Sequence, residues 1–475
     1  MQHIPFLLLF VLASSFHFLL QEGLEFIDFR ARKKDGGRVP KELFGYADSK
    51  LLKKTAAYEN EKYFLFIPEH ILGFILSLVL VFAGYYVFLY KRLFNLTGSV
   101  YLTALLFSLL ASLPESILSI PFDFKREFDI ERRYGFSTTT LGTWILDGVK
   151  GILLELVISC PLVLLATFLL LYMPNYWWIL LSAVSIALSL TFSFLYPVLI
   201  APLFNKFTPL AAVELKGRLE ALLKKTGFES QGIFVMDASR RSRHSNAYFT
   251  GMGRNKRVVL YDTLLDQLSI DETESVLAHE LGHYKLNHII RRLFASIPLI
   301  AVFFFAVSVL IRIPGLYTAF GFEVETTVVL DGGKRLETAQ PYMYFIGVFL
   351  CGLIAGPFSP LLSVVTNFFS RRDEFQADAF SAEACGRSRS LVTALIKLHK
   401  ENLSEFTPPK IYSVFNYSHP PLLERIRALE KPKDGQDGGQ KRPASGTASP
   451  ASADADAPEP DEASPDGSVP SPADP

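Results

Sequence analysis

The chain has few of the residues that build a disulfide framework. It carries 3 cysteines among 475 residues, and none stands at metal-type spacing. Cys160 and Cys351 lie in apolar stretches and Cys385 in a polar one, so all three read as structural. There is no excess of charge: Lys and Arg number 47, and Asp and Glu number 47. That balance gives no electrostatic footprint for nucleic acid. Histidine is scarce, with 9 in all. The start, Met1-Gln2-His3, lacks the positive region of a secretory signal. The far end lacks a Cys-containing prenylation box. Large aliphatic residues are absent after Leu429 except for Val469, so segment 431–475 reads as a disordered acidic tail.

What is present is hydrophobic. Half the residues are apolar, 41 are Phe, and mean hydropathy is positive. That composition belongs to a membrane protein. Stretches of about 20 apolar residues, enough to cross a bilayer, occur near 4–20, 71–90, 98–120, 151–173, 177–200, 293–312 and 342–366. Loop 22–64 carries ten Lys and Arg, including Arg30, Arg32, Lys33 and Lys34. Basic loops alternate with poorly charged ones thereafter, which predicts a retained first helix, an outside N-terminus, seven spans and a cytoplasmic C-terminus. A bacterial inner membrane and an endoplasmic reticulum both suit that topology. Glu69, Glu115, Asp147, Lys150 and Glu155 fall in or beside spans; they face an interior or snorkel at the interface.

Five regions follow: helices and loops over 1–200, a water-facing segment over 201–292, two spans over 293–366, a second polar segment over 367–430, and the tail over 431–475. In the water-facing part, 210–226 reads as an amphipathic helix stopped by Gly227. Runs 232–236, 246–250 and 257–261 read as strands, the last two joined as a hairpin around Gly251, Gly253 and Asn255. Asp271 with Glu274 has the spacing of a capping box, opening a helix that runs through Leu286.

That helix holds His279-Glu280-Leu281-Gly282-His283. Residues four apart share a helix face, so His279 and His283 can grip one metal ion, with Glu280 beside it to take a proton from water. A catalytic zinc wants a third protein ligand. His288 lies off the shared face and reads as a surface residue. Glu374 and Asp378 stand four apart and suit a ligand and the acceptor for a ligating histidine's N–H, with small Ala377 and Ala379 permitting close packing. On spacing alone the pair serves equally as a solvated face partnered by Arg371 and Arg372.

Taken together, His279 to His283, Glu374 to Phe380, Ser245 to Gly251 and Tyr417 to Arg425 resemble signatures of the Ste24-type CAAX prenyl proteases. Glu131, Tyr134-Gly135-Phe136, Asp147, Tyr196-Pro197 and Ala201 to Phe204 match in order. Ser137 departs, where the family usually has Asn. The resemblance implies a fold of seven transmembrane helices around a water-filled chamber, an all-α integral membrane protein with a cytoplasmic-side α+β zinc metallopeptidase domain of gluzincin type. It implies one Zn2+ held by His279, His283 and Glu374, with Glu280 as general base and Asp378 behind the ligands. Asn246 and His419 would line the active site, and Arg425 would hold it together by salt bridges.

The expected activity is a zinc endopeptidase cleaving beyond a prenylated cysteine. Its partners would be the bilayer and a peptide or membrane-protein substrate. The alternatives are an HtpX-like quality-control protease, to which the long N-terminal part is ill suited, and a non-catalytic scaffold, to which an intact Glu280 is ill suited.

Overall fold

The computed structural model describes residues 4–250, 256–331 and 334–431. The expected turn at Gly251, Gly253 and Asn255, and the tail with Val469, lie outside the described residues.

Among the described residues, six helical stretches are long and apolar enough to cross a bilayer. They are Pro5–Asp35, Ser49–Phe82, Val100–Glu131, Leu141–Tyr172, His288–Leu310 and Pro341–Ala384. The expected span at 177–200 contains a shorter apolar helix. The elements are α1 (Ile4–Asp35), α2 (Ser49–Phe82), α3 (Tyr85–Thr97), α4 (Val100–Ala111), α5 (Leu113–Lys125), α6 (Leu141–Tyr172) and α7 (Trp177–Leu195). Their outward side chains are apolar: Leu12, Val157, Phe294 and Val302 are all well exposed. Hydrocarbon is the solvent such a surface fits. Inward, Phe10, Trp177, Tyr317 and Ile346 belong to one buried apolar core.

The breaks differ from the expected boundaries, each for a local reason. Loop 22–64 is mostly helical: α1 runs to Asp35, and α2 starts at Ser49, where the Asp48 carboxylate accepts the Leu51 N–H at 2.7 Å. Charged residues in water do not stop a helix; Gly36-Gly37 and Pro40 do. The second span ends at Phe82 instead of 90, because Gly84 takes φ +69 and starts a new helix. The third is interrupted at Ser112, with Pro114 in the first turn of α5.

The water-facing part contains a four-stranded sheet. Its strands are β1 (Phe207–Pro209), β2 (Ile233–Met236), β3 (Ala247–Thr250) and β4 (Arg257–Tyr261), in the order β1-β2-β4-β3. β2 runs parallel to β4, and β3 runs antiparallel to β4 with Tyr248 opposite Val259. β3 is therefore an edge strand. The remaining helices of seven residues or more are α8 (Val213–Lys225), α9 (Ile270–Lys285), α10 (His288–Leu310), α11 (Tyr344–Ala355), α12 (Ser359–Ala384), α13 (Arg389–Glu401), α14 (Lys410–Asn416) and α15 (Leu422–Glu430). Leu219 and Leu222 of α8 pack with Val258, Leu260, Leu277, Leu281, Leu395 and Ile426 in a second core.

α9 begins two residues earlier than the spacing predicted. Ser269 accepts from the Glu272 N–H, and the Glu272 carboxylate accepts the Ser269 N–H at 2.9 Å. Asp271 and Glu274, the expected box, pair with Arg218 and Arg387 instead. A serine hydroxyl reaches N3 from this cap, so it takes the role over a later aspartate.

Candidate metal centre

α9 and α12 cross closely enough to bring together three side chains that could hold a metal ion. Gly282 makes this possible, since a Cβ there would stand 3.0 Å from the Ala377 Cα and 3.2 Å from the Phe380 Cβ. Ala377 is buried at the contact, whereas Ala379 is exposed and takes no part. Ser381 adds a hydrogen bond from its hydroxyl to the Ser275 carbonyl at 2.7 Å. α12 continues from the last apolar stretch, so Glu374 sits on the water-facing extension of a membrane helix.

One ligand atom each from His279, His283 and Glu374 lies within 4.8 Å of the others. His283 Nε2 is 3.2 Å from His279 Nε2 and 3.2 Å from Glu374 Oε1. His279 Nε2 is 3.4 Å from Glu374 Oε2. Glu374 is 2% exposed, yet its Oε2 finds no well-aligned hydrogen-bond donor. A buried carboxylate oxygen in that condition suits a cation. Burial disfavours the Glu374 carboxylate, but His279, His283 and His419 outweigh it and hold the acid far below the usual range. Burial also pushes the His279 imidazole down, but Asp378 and Glu374 hold it up at about 9. A proton there supplies the positive charge that a metal ion would supply. Two imidazole nitrogens and a carboxylate are a zinc donor set.

Around these ligands the remaining contacts fix orientation. Asp378 Oδ1 lies 2.8 Å from His279 Nδ1, which turns Nε2 toward Glu374. Arg425 grips Asp378 in bidentate fashion at 2.6 and 2.9 Å, and its NH1 lies 3.7 Å from Glu374 Oε2. Arg371, the alternative partner of the acidic pair, instead donates to the carbonyls of Ser413, Val414 and Tyr417. That steadies the segment carrying His419. His419 is exposed on its outer side, and its Nδ1 stands 2.9 Å from Glu374 Oε2.

Glu280, Asn246, His419, His279, Glu374 and Arg425 all line one cavity of 540 Å³. Burial raises the Glu280 carboxyl above its ordinary range, against the pull of His279 and His283. Asn246 precedes β3. Its Oδ1 accepts the Ala247 N–H at 2.8 Å, which leaves its NH2 group to the cavity. The segment leading into it is tied to the membrane helices. Arg241 forks onto Asp147 at 2.7 and 3.0 Å, Ser242 bridges Ser137, and the Arg243 N–H reaches the Phe136 carbonyl at 3.0 Å. Asp147 thus has an ion-pair partner, while Glu155 is exposed.

His288 is not the surface residue expected. It is 0% exposed. Its Nδ1 lies 3.0 Å from His283 Nδ1, and its Nε2 lies 3.0 Å from Gln376 Oε1. The phase argument failed because the helix ends first. Asn287 adopts φ +55, and α10 starts anew at His288. Asn after an amphipathic helix is a C′ signal, and it was available in the sequence.

Comparison with known proteins identifies the family. Residues 28–206 match the family described as "CAAX prenyl protease N-terminal, five membrane helices", and residues 209–433 match "Peptidase family M48". The "CAAX prenyl protease 1 homolog" of Arabidopsis thaliana is 36% identical over 84% of this chain and 91% of its own length. The chain belongs to the Ste24-type CAAX prenyl protease family. The Homo sapiens member is 33% identical over 83% of this chain and 89% of its own. The crystal structure of S. mikatae Ste24p superposes with a TM-score of 0.82 at 30% identity, covering 90% of this chain and all of that one. As a family member, the protein is a multi-pass membrane metalloprotease with an M48 domain and resembles the CAAX prenyl proteases.

Proposed function

We propose that the protein is a zinc endopeptidase binding one Zn2+ through His279, His283 and Glu374, and that it cleaves prenylated peptides beyond the modified cysteine. The observation that carries this reading is the buried Glu374 carboxylate, 3.2 Å from His283 Nε2 and 3.4 Å from His279 Nε2, in the cavity that also holds Glu280. Zinc held there supplies Lewis acidity toward a water and a peptide carbonyl. Glu280 accepts the proton of the attacking water and returns it to the leaving amine; its burial makes it the stronger base. The Asn246 NH2 and the His419 imidazole donate to the carbonyl oxygen as negative charge develops on it. Asp378 and Arg425 keep His279 in the tautomer that presents Nε2. The exposed edge of β3 pairs with an extended substrate, holding it by backbone hydrogen bonds with little side-chain selection.

The same reading has seven spans around a water-filled chamber, with the N-terminus outside and the metal site cytoplasmic. The charge alternation between loops supports it, as do the five-helix match and the likeness to Ste24p. α7 serves as the shortest span.

The test uses purified full-length protein, stripped of metal by a chelator and restored with zinc. A farnesylated peptide should then be cut after its cysteine, as read by product mass. No product with zinc restored contradicts the proposal.

A further inference from the structure

A second cavity, of 740 Å³, lies among the membrane helices. The two share a helix face. Glu59 and Lys62 of α2 line the catalytic cavity. Phe66, Glu69, His70, Gly73, Phe74 and Ser77 of α2 line the second. Those positions recur at three- and four-residue intervals, which is one stripe of a helix. At 1.5 Å per residue, Glu59 and Phe74 are about 22 Å apart along the axis, and Lys62 to Phe66 is a single turn. The two cavities therefore open along one face of α2, with Lys62 of the first a single turn from Phe66 of the second.

The wall of the second cavity is aromatic. Phe18 of α1 stacks on Phe74 with centroids 4.6 Å apart and lies 5.2 Å from the His70 ring. Phe66 stacks on His70 at 4.9 Å. Several polar groups on this wall have partners: His70 with Glu22 at 3.0 Å, Arg126 with Glu69 at 2.7 Å, and His17 with the Pro357 carbonyl at 3.2 Å; Glu115 also lines it. Ion pairs at this depth mark a surface turned away from bulk lipid. What they leave is a slot lined by stacked rings, within the roughly 300–1,000 Å³ of an ordinary small-molecule site.

We infer that this slot receives the isoprenoid chain of the substrate, while the peptide occupies the catalytic cavity one turn along α2. The inference rests on the prenylated-peptide reading above. A branched, unsaturated chain offers methyl and vinyl edges to ring faces, and it buries apolar area that an unmodified peptide lacks. Most polar ends of the wall stay paired, so the slot discriminates chiefly by shape and burial.

Gly73 supplies the experiment. A Cβ at Gly73 meets nothing within 4 Å, so Gly73→Trp fills the slot without a clash at its base, and replacing a mid-helix glycine favours the helix. The quantity read is the ratio of kcat/KM for a farnesylated peptide to that for the same peptide unmodified. Gly73→Trp should lower this ratio about tenfold, the equivalent of a few buried carbons. Phe74→Ala, a second and independent variant, should lower it in the same direction. A farnesyl analogue carrying a photoreactive group on the same peptide should label residues within 10–18 and 66–77. Three results overturn the assignment, and they differ. If the wild-type protein does not favour the farnesylated peptide, the prenylated-substrate reading falls and the slot with it. If it does favour it, but both variants keep the ratio and the label lands elsewhere, only the slot falls. Equal loss on both peptides also overturns it, because the slot then serves something other than the chain.

Discussion

Gly282 stands against the backbone of Ala377, with room for no Cβ: one placed there would lie 3.0 Å from the Ala377 Cα. Both residues lie one helical turn or less from a metal-binding side chain. Neither partner atom is the end of a flexible chain, so Gly282→Ala must push α9 from α12 by a few tenths of an ångström. Overpacking of this kind costs about 1–3 kcal/mol. The variant should show a lower thermal midpoint and weaker zinc binding in competition with a chelator.

His283 meets His288 through Nδ1. With Nε2 directed at the metal position, the Nδ1–H donates to His288, whose Nε2–H donates to Gln376. Loss of such an outer partner typically weakens metal affinity about 10–100-fold. His288→Ala should do so in a chelator titration, and His288→Gln should recover part of the loss. Equal zinc affinity in all three proteins would remove His288 from this role.

Arg425 and Asp378 are a buried ion pair, and Arg425 holds the carboxyl below its ordinary range against its burial. Breaking a buried pair from one side costs about 3–5 kcal/mol, because one charge is left uncompensated. Arg425→Met should destabilise the protein strongly. Adding Asp378→Asn should return part of the thermal stability, while zinc affinity stays low because the acceptor of His279 has lost its charge.

Burial pushes the Glu405 carboxyl up to about 7, and Arg32 opposes it. The folded protein therefore holds a proton that the unfolded chain releases near 4.5. Between those values the unfolded state binds fewer protons, so stability falls as pH rises through this window. Glu405→Gln removes that dependence. The melting temperature of the variant relative to wild type should rise from about pH 5 to about pH 8, and a difference that is flat with pH would contradict the assignment.

Much of this was legible in the chain. The 257–261 strand matches its observed bounds, and the amphipathic helix near 210–226 is α8, because each has a simple apolar period. The i,i+4 spacings of His279 with His283 and of Glu374 with Asp378 placed four side chains on two faces. Sequence spacing could not say that those faces meet. That depends on Gly282 and Ala377, whose small size is informative only once the helices cross. Span limits were misread at Gly84 and Ser112 because hydropathy is blind to a change of direction inside an apolar run. His288 was misread because one left-handed residue, Asn287, resets helical phase.

The central claim is that Glu280 moves the proton at a zinc held by its neighbours. Glu280→Gln tests it most directly, with zinc content and hydrolysis measured on the same purified sample. One zinc per chain, with peptide cleavage reduced about a thousandfold or more, on the order of what loss of a general base and its charge removes, is the predicted result. A Glu280→Gln variant that keeps its zinc and cleaves at the wild-type rate would contradict the account.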